Sequence, residues 1–418
     1  MGADAMKALV IGVLGLVTAC DVPVLRPNEV GVGNASGLVV AATDEVESSN
    51  IGLMDSSGFV LSSSVISTAS VKAGFSTALG GDLAFPSMVS NSTELVILDR
   101  YPSSVITWLD VSTAKVRTQL SVATGFAANL HDYVPYSADK VFVTRFDSNS
   151  TPGHEPFDTG GDLLVIDPTT DPTTPQPQIT GRVDIAAGLP AGNQNFAHPD
   201  RARLLPDGKL YVVVPYYDAR HYSGESYLAV VDPETELVES FLLLKGVSGC
   251  SGIDTAPDAR SLAIACSGNW QGTGRAEAST SAIVGVSTAP LHELWRVGTG
   301  TDARGFGFTV TFADARHVIA TRLGDLGPPI LNDTVELIDI DAGTSTALIE
   351  SAGQPASLSV GPCATPLGLC FLADASRNQI VKLELNARGE YAITKFNWND
   401  PVGLRPRLLT FFGPAPAR

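Results

Sequence analysis

Positive charge and histidine are both scarce in this 418-residue chain. Lysine and arginine total 27 against 44 aspartate and glutamate residues, which gives a formal net charge of −17. Nucleic acids and anionic lipid surfaces repel a protein of this sign, so neither is expected as a partner. The six histidines form no H-x-H or H-x-x-x-H pair, and the motif G-x-S-x-G, which presents a serine nucleophile, is absent. The sequence therefore contains no recognisable catalytic constellation, although enzymatic activity is not excluded.

Helical signals are missing as well. No segment after residue 20 has the periodicity of an amphipathic helix, and the apolar run 8–19 is too short to span a bilayer. Charged residues make up only 17% of the chain and hydrophobic residues 44%, a composition that suits sheets covered on both faces. The 40 glycines and 27 prolines suit many tight turns. The sequence thus predicts an all-β protein.

One pattern recurs along the chain and is clearest over residues 209–238. Residues 210–214 and 227–231 are almost continuously apolar and rich in β-branched and aromatic side chains, as in strands buried on both faces. The run Asp232-Pro233-Glu234-Thr235 follows as a type I turn, because Asp supplies a local acceptor and Pro presets φ. With a second turn at 206–208, the unit is four short antiparallel strands.

The third strand of this unit occurs seven times, ending at Asp55, Asp110, Asp167, Asp232, Ser287, Asp339 and Glu384. The intervals are 55, 57, 65, 55, 52 and 45 residues, the spacing of four-stranded blades with loops of different length. The first copy lacks an innermost strand before residues 38–42, whereas the C-terminal run 407–412 (RLLTFF) resembles an innermost strand alone. Joining the two closes a ring without open edges. The sequence predicts a seven-bladed β-propeller over residues 37–418, closed by the C-terminal strand.

The fourth unit resembles a known family. Its runs PDGKLYV (206–212) and LAVVDP (228–233) are similar to the YVTN-type propellers of bacterial exported and surface-layer proteins. The likeness is moderate in the third, fifth and sixth units and poor in the last, where residues 363–370 replace the usual turn. The family implies a ring in the cell envelope, commonly a binding or scaffolding module. Its repeat defines no functional residues that could be transferred.

The N-terminal region has the pattern of an export signal. Lys7 precedes the apolar residues 8–19, as in a secretory signal peptide. The run Val17-Thr18-Ala19-Cys20 resembles the lipobox of bacterial lipoproteins, which implies cleavage before Cys20 and lipid on that cysteine. Residues 1–19 are thus predicted to be a signal peptide, and 20–36 an acylated cysteine with a flexible tether. An ordinary signal with a chance cysteine stays open, as does the choice of membrane.

The other four cysteines are expected to form two disulfides in an oxidising compartment. Cys250 and Cys266 fall almost opposite each other across a predicted hairpin, within reach of a bridge. Cys363 and Cys370 would staple the equivalent turn of the last unit. The absence of C-x-x-C and of a partnering histidine pair argues against zinc. Four buried thiols are the alternative.

Four long loops are predicted to share one face of the ring, at residues 146–161, 216–226, 267–280 and 323–332. Long loops on a rigid rim commonly carry function. Three groups of candidate residues lie there or beside the channel: at the channel mouth, His131, Asp132, Asn193, Asn195, His198, Asp200 and Arg201; in an aromatic loop, Tyr216, Tyr217, His221 and Tyr222; and in an acidic loop, Asp147, Asn149, Glu155, Asp158 and Asp162. The first group suggests a pocket, the second a surface for a sugar or protein, and the third a calcium site without the EF-hand spacing. The alternative for the channel-mouth group is a polar channel filled with water. The alternative for the aromatic loop is that its tyrosines pack the loop onto the blade, and the alternative for the acidic loop is a solvated loop without a metal.

Two functional hypotheses follow. The first is a monomeric, lipid-anchored envelope propeller that binds a protein, peptide or glycan without catalysis. The second is an envelope hydrolase or lactonase with a site around His131, Asn195 and His198, because seven-bladed lactonases share this architecture. Calcium is the one cofactor left open. A quinone is disfavoured, since the pair Leu294-Trp295, similar to a quinoprotein docking motif, is not repeated from unit to unit.

Overall fold

The computed structural model describes residues 29–88, 92–171, 173, 175–190, 197–217, 224–270, 276–325, 330–353, 357–364, 368–386 and 390–413. Its strands form seven four-stranded antiparallel sheets and one two-stranded sheet. Each four-stranded sheet is one blade of a ring, so the predicted all-β, seven-bladed propeller is confirmed. The predicted signal peptide and Cys20 lie outside the described residues.

The strands are numbered in chain order, and within each blade they run from the channel outward. Blade 1 contains β30 (Arg405–Phe412), β1 (Gly37–Thr43), β2 (Ser49–Met54) and β3 (Val60–Ser67). Blade 2 contains β4 (Leu83–Ala84), β5 (Glu94–Asp99), β6 (Val105–Asp110) and β7 (Lys115–Ser121). Blade 3 contains β8 (Leu130–Ser137), β9 (Lys140–Ser148), β10 (Gly160–Asp167) and β11 (Gln178–Val183). Blade 4 contains β12 (Ala202–Leu204), β13 (Leu210–Val214), β14 (Glu225–Asp232) and β15 (Leu237–Ser248).

The remaining blades follow the same order. Blade 5 contains β16 (Cys250–Thr255), β17 (Ser261–Cys266), β20 (Ala282–Thr288) and β21 (Leu291–Gly298). Blade 6 contains β22 (Phe306–Phe312), β23 (His317–Arg322), β24 (Thr334–Asp339) and β25 (Thr344–Glu350). Blade 7 contains β26 (Leu358–Ala364), β27 (Leu369–Asp374), β28 (Gln379–Leu385) and β29 (Tyr391–Asn397). The two-stranded sheet, β18 (Asn269–Trp270) with β19 (Ala276–Glu277), belongs to the loop after β17, and single 3-10 turns occupy Ala186–Gly188 and Ala278–Thr280.

The C-terminal strand closes the ring as the sequence predicted. β30 pairs antiparallel with β1, placing Phe411 opposite Leu38 and Leu409 opposite Val40. Every residue of β1 is buried, because the strand is paired on both edges and covered on both faces. In contrast, β29, the outermost strand of blade 7, is exposed along most of its length. The burial pattern therefore runs from a covered inner ring to a solvated outer edge.

The hydrophobic core is divided among the interfaces between blades. The buried residues of the described chain form seven clusters, and each cluster joins two successive blades. One of them packs Leu38 and Phe411 of blade 1 against Phe371 of blade 7. Burying apolar area on both faces of each sheet is the main source of stability in such a fold. The last cluster is what makes the ring continuous across the chain termini.

The recurrent aspartates make the turns that the sequence predicted. Asp55, Asp110, Asp167, Asp232 and Asp339 each accept a hydrogen bond at 2.8–3.0 Å from the backbone N–H two residues further on. A carboxylate in this position satisfies an N–H that the reversing chain leaves without a strand partner. The same residue type can therefore end the third strand in blade after blade.

Both predicted disulfides are present, and they lie at opposite faces of the propeller. Cys250 and Cys266 are directly paired across β16 and β17, with an S–S distance of 2.02 Å. Cys363 and Cys370 are paired across β26 and β27. The first disulfide lies where an innermost strand begins, and the second lies where an innermost strand ends. They therefore stabilise different faces of the propeller.

The described part of the predicted tether does not extend freely from the ring. The Val30 N–H donates to the Ser64 carbonyl of blade 1, and the Val32 and Gly33 N–H groups donate to carbonyls of the turn after β6 in blade 2. A salt bridge of 3.0 Å joins Glu29 to Lys72. Residues 29–33 are thus part of the folded head, which corrects the tether boundary. Within the described residues, no helix is long and apolar enough to cross a membrane.

Candidate functional site

A cavity of about 620 Å³ opens in the channel, at the end where the innermost strands begin. Because neighbouring strands are antiparallel, the second strand of each blade ends at this same face, and the loops that enter each blade also lie there. This is the face to which the sequence assigned the long loops. All seven blades contribute side chains to the cavity wall. We call this space the channel-mouth cavity.

β-Bulges aim side chains into the channel-mouth cavity. Four innermost strands carry an irregularity in register near this end, and a residue that the pairing skips lines the cavity in each: His131 in β8, Ser251 in β16, Phe308 in β22 and Arg407 in β30. A bulge adds a residue to one strand and turns its side chain away from the regular alternation. The repeated blade can therefore present different chemistry at equivalent positions without losing its sheet.

His131 and Asp200 form a buried pair on the cavity wall. The His131 Nδ1 lies 2.8 Å from Asp200 Oδ1, and the imidazole stacks on Phe146 with ring centroids 4.3 Å apart. Burial lowers the pKa of His131, and Asp200 only partly opposes that effect. Burial alone would raise the pKa of Asp200, but His131 and Arg201 together hold it below its ordinary value. The pair at neutral pH is therefore a neutral imidazole beside a carboxylate.

This protonation state fixes the role of each imidazole nitrogen. Since an ionised Asp200 only accepts hydrogen bonds, Nδ1 of His131 carries the proton and Nε2 has a free lone pair. Nε2 is buried and has no hydrogen-bond partner among the described residues. Buried polar atoms of this kind are rare in folded proteins. His131 thus lines the cavity and carries a buried acceptor that no described residue satisfies.

An aromatic cluster supports this pair from blades 3 and 4. His198 donates from Nδ1 to the Phe146 carbonyl at 2.7 Å, and its ring packs against the Tyr217 ring, edge to face. Burial lowers the pKa of His198 and raises that of Tyr217. Both side chains are therefore uncharged at neutral pH. Their packing restricts Phe146, on which His131 rests.

Three arginine–carboxylate pairs line the same cavity. Arg100 Nε lies 2.9 Å from Asp82 Oδ1. Arg407 Nη2 lies 3.6 Å from Glu45 Oε2. Arg201 Nε lies 4.0 Å from Asp200 Oδ1, while its Nη1 donates to the Phe85 carbonyl. Over the described part of the wall, three guanidinium groups and three carboxylates balance in formal charge, although the whole chain is strongly acidic.

Asp132, another residue of the predicted channel-mouth group, has a structural position. Its side chain is fully buried, and its carboxylate accepts hydrogen bonds from the Ser87 N–H of blade 2 and the Ala202 N–H of blade 4, both at 2.8 Å. Asp132 itself belongs to blade 3. It therefore links three successive blades, and its Oδ1 also lies 3.8 Å from Nη1 of Arg201, which lines the cavity.

The predicted aromatic loop is only partly described. Tyr217 lines the channel-mouth cavity, whereas the Tyr216 ring covers Gly224 of its own loop, where a Cβ would come within 2.6 Å of it. The position of Tyr216 agrees with the interpretation that it packs its loop. His221 and Tyr222 lie outside the described residues, as do Asn193 and Asn195 of the channel-mouth group.

The acidic loop does not form a metal site in the described residues. Asp158 accepts hydrogen bonds from the N–H groups of Gly153, His154 and Glu155, and Asp162 makes a bidentate pair with buried Arg145. Asn149 bonds to the backbone of the same loop. Over the described ranges, no group of three or more His, Cys, Asp and Glu side chains could hold a metal ion. The predicted ligands Asp147, Asn149, Glu155, Asp158 and Asp162 are thus not assembled as calcium requires, because loop and strand interactions use the two buried carboxylates.

Several cavity residues were missed by sequence reasoning. Glu45 and Arg100 lie in short loops after a second strand, Asp82 lies directly before an innermost strand, and Phe308 lies within an apolar strand. Arg407 offered a signal, since it is a charge at the start of the buried run RLLTFF. The others depend on bulges and on blade order, which sequence periodicity does not reveal.

No protein-family model matches this chain, and no curated protein sequence matches it. Solved structures do. A provisionally assigned 6-phosphogluconolactonase from Bacteroides uniformis is similar with a TM-score of 0.55 at 13% identity, over 90% of this chain and 99% of that chain. The corresponding protein from Bacteroides fragilis gives 0.53 at 13% identity, over 90% and 98%. The periplasmic gluconolactonase PpgL from Pseudomonas aeruginosa gives 0.52 at 13% identity, again over 90% and 98%. The chain shares their fold. Identity this low establishes the architecture and leaves ligand and activity to the site itself.

Proposed function

We propose that the channel-mouth cavity binds a small, sugar-like molecule and that the protein acts as a binding module for it in the cell envelope. The observation that carries this proposal is His131 Nε2, a buried acceptor without a partner among the described residues. Leaving a buried acceptor unsatisfied costs about 1–3 kcal/mol. A ligand hydroxyl that donates to Nε2 would recover this energy. The proposal thus explains an otherwise unfavourable feature of the cavity wall.

The charge and size of the cavity support a hydroxylated ligand. Each sugar hydroxyl both donates and accepts, so a neutral sugar can use arginines and carboxylates together. A simple anion would meet three carboxylates as well as three guanidinium groups. The volume of about 620 Å³ is within the range of ligand pockets. Among a protein, a peptide and a glycan, a glycan therefore suits this space best.

An envelope location rests on the N-terminal pattern and on one structural neighbour. The run 17–20 resembles a lipobox, and lipid on Cys20 would anchor the head to a membrane. The similar protein from Pseudomonas aeruginosa is described as periplasmic. The two disulfides also suit an oxidising compartment. These observations favour a lipid-anchored envelope protein.

Titration calorimetry with common monosaccharides, their methyl glycosides and sugar acids tests the proposal. His131→Asn keeps a donor near Asp200 but removes the atom at the Nε2 position, so we expect an affinity loss of roughly tenfold or more. His131→Gln places an amide close to the Nε2 position and should retain more of the affinity. His154→Asn, in an exposed loop, is the control and should bind like the wild type. Equal affinity of the Asn variant and the wild type would reject the proposal.

Hydrolysis of lactones is a second candidate, favoured by the neutral, oriented imidazole of His131. Nε2 can accept a proton from water while the water oxygen attacks the lactone carbonyl carbon. The ring C–O bond then breaks, and the leaving alkoxide takes the proton from Nε2. Arg201 on the same wall would stabilise negative charge on the carbonyl oxygen. The three similar structures described as lactonases make this reaction class worth testing.

The pH profile of lactone hydrolysis distinguishes catalysis from binding. A base must be neutral, and the pKa of His131 lies below its ordinary value of 6.5. Activity should therefore persist further into acidic solution than it would with an imidazole of ordinary pKa. Base consumption in a pH-stat with glucono-δ-lactone measures this rate above the uncatalysed background. If the wild type hydrolyses the lactone no faster than His131→Asn does, lactone hydrolysis at His131 is rejected, and the binding function is the candidate that is left.

A further inference from the structure

The channel-mouth cavity has two chemically different halves. Among the described residues, its charged side chains all belong to blades 1–4: Glu45, Asp82, Arg100, Asp200, Arg201 and Arg407. The described residues that line it from blades 5–7 carry hydroxyl, aliphatic or aromatic side chains and no charge. The division follows the order of the blades, so it separates opposite sides of the channel. A molecule that fills the cavity meets an ionic wall and an uncharged wall at the same time.

Phe308 is the main apolar surface of the uncharged wall. It is 48% exposed although it belongs to an innermost strand, and Leu323 and Leu408 are partly buried beside the same cavity. In the register of β22 and β23, Phe306 faces Arg322 and Val310 faces Ala320, so the strand between them is two residues longer than its partner. That excess places Phe308 in the channel. The fold thus directs a large apolar side chain into a space that blades 1–4, on the other side of the channel, line with charge.

Close backbone contacts fix the position of Phe308. A Cβ at Gly252 of blade 5 would lie 2.6 Å from the Phe308 carbonyl oxygen, and a Cβ at Gly307 would collide with Thr321 Oγ1. The Ser251 hydroxyl also donates to the Phe308 carbonyl at 3.2 Å. Glycine is therefore required at position 252, because a larger residue there would displace the backbone of the bulge, whereas at Gly307 the Thr321 side chain would have to move. The uncharged wall is preorganised, and a ligand does not have to form it.

We infer that the ligand is amphipathic: a hydroxylated head contacts blades 1–4, and an aryl or alkyl substituent covers Phe308. This inference rests on the proposed function and specifies its ligand class. An unsubstituted sugar would leave Phe308 facing water, whereas a substituent of ring size would remove apolar area on both surfaces from solvent. Burial of apolar area is favourable roughly in proportion to the area. Phe308 is thus assigned as a specificity-determining residue.

Matched glycosides test the inference. Methyl and phenyl glycosides of glucose, galactose, mannose and N-acetylglucosamine share each head and differ only in the substituent. For at least one head, we expect the phenyl compound to bind about tenfold or more tighter than the methyl compound. Phe308→Ser should abolish that difference, with a much larger loss of affinity for the phenyl than for the methyl compound. Phe59→Ser, at a side chain 68% exposed on another part of the surface, is the matched control and should keep the difference.

The outcomes separate this inference from the proposed function. Equal affinity for both members of every pair, or a phenyl gain that persists in Phe308→Ser, would overturn the amphipathic ligand alone. A phenyl gain that depends on Phe308 but is insensitive to His131→Asn would confirm the apolar contact and reject the proposed contact with the head. Absence of binding in both series would reject both.

Discussion

At the scale of single residues, buried charged side chains have different roles. Asp200 orients His131 towards the cavity, whereas Asp132 joins three blades. Arg145 and Asp162 form a buried bidentate pair, which keeps the strand ends of blade 3 together without leaving either charge unpaired. Burial alone therefore does not identify a functional carboxylate. What it faces, a channel or a neighbouring blade, decides its role.

Asp99, the last residue of β5, gives a pH-dependent prediction. Burial raises its pKa from 3.8 to about 6, although the Gly80 N–H partly stabilises the carboxylate. Between those values the folded state binds more protons than the unfolded state, so this group lowers the free energy of unfolding as pH rises. Asp99→Asn should therefore stabilise the protein by about 3 kcal/mol above pH 7 and have much less effect near pH 4.

Urea unfolding at both pH values measures this difference. Asp258→Asn is a suitable control, because Asp258 is exposed in a turn where either residue type can accept the same Arg260 N–H hydrogen bond. The control should change stability little at either pH. A stabilisation by Asp99→Asn that is equal at pH 4 and pH 7 would contradict the assigned titration.

At the scale of the structural element, the two disulfides are predicted to act differently. Their sequence separations are 16 and 7 residues, so loop entropy predicts stabilisation of about 3 and about 2 kcal/mol. Only the Cys250–Cys266 bridge adjoins the bulge that carries Ser251. The double variant Cys250→Ser/Cys266→Ser should lower both stability and affinity for a channel-mouth ligand.

The variant Cys363→Ser/Cys370→Ser is the matched control, because it removes a disulfide at the opposite end of an innermost strand. It should lose stability with unchanged affinity. Denaturant unfolding and calorimetric titration separate the two quantities. Equal effects of the two double variants on affinity would show that the first bridge has no special relation to the cavity.

At the scale of the whole molecule, pairing of the terminal strands determines whether the ring is closed. Val39 and Thr410 face each other in the register of β1 and β30. Cysteines at such opposed positions are near enough for a disulfide. Val39→Cys/Thr410→Cys should therefore form a bridge and raise the melting temperature. Peptide mass spectrometry without reduction detects the bridge.

A shift of one residue provides the control for this experiment. In Val39→Cys/Leu409→Cys the two side chains point to opposite faces of the sheet, because adjacent strand residues alternate. The bridge should form poorly there. Equal yields in both variants, or none in either, would contradict the β1–β30 register.

The sequence was sufficient to predict the repeated blade, but it did not predict most of the residues that line the channel-mouth cavity. Apolar strands, aspartate turns and the incomplete first unit are local or periodic signals, and they predicted the blades, the closure and both disulfides. His131, His198 and Arg201 were also recognised, since polar residues just before an innermost strand must approach the channel. Arg100 and Phe308 were not, because their positions depend on neighbouring blades and on a bulge that no local pattern encodes.

If Cys20 carries the proposed lipid, the attachment of residues 29–33 to blades 1 and 2 limits the distance between the head and the membrane. Nine peptide steps separate Cys20 from Glu29, and at full stretch they cover about 32 Å. A tether that was unattached as far as residue 37 would span almost twice this distance. Under the proposed lipid anchoring and ligand binding, the propeller would meet its ligands within the shorter of these distances from the lipid surface.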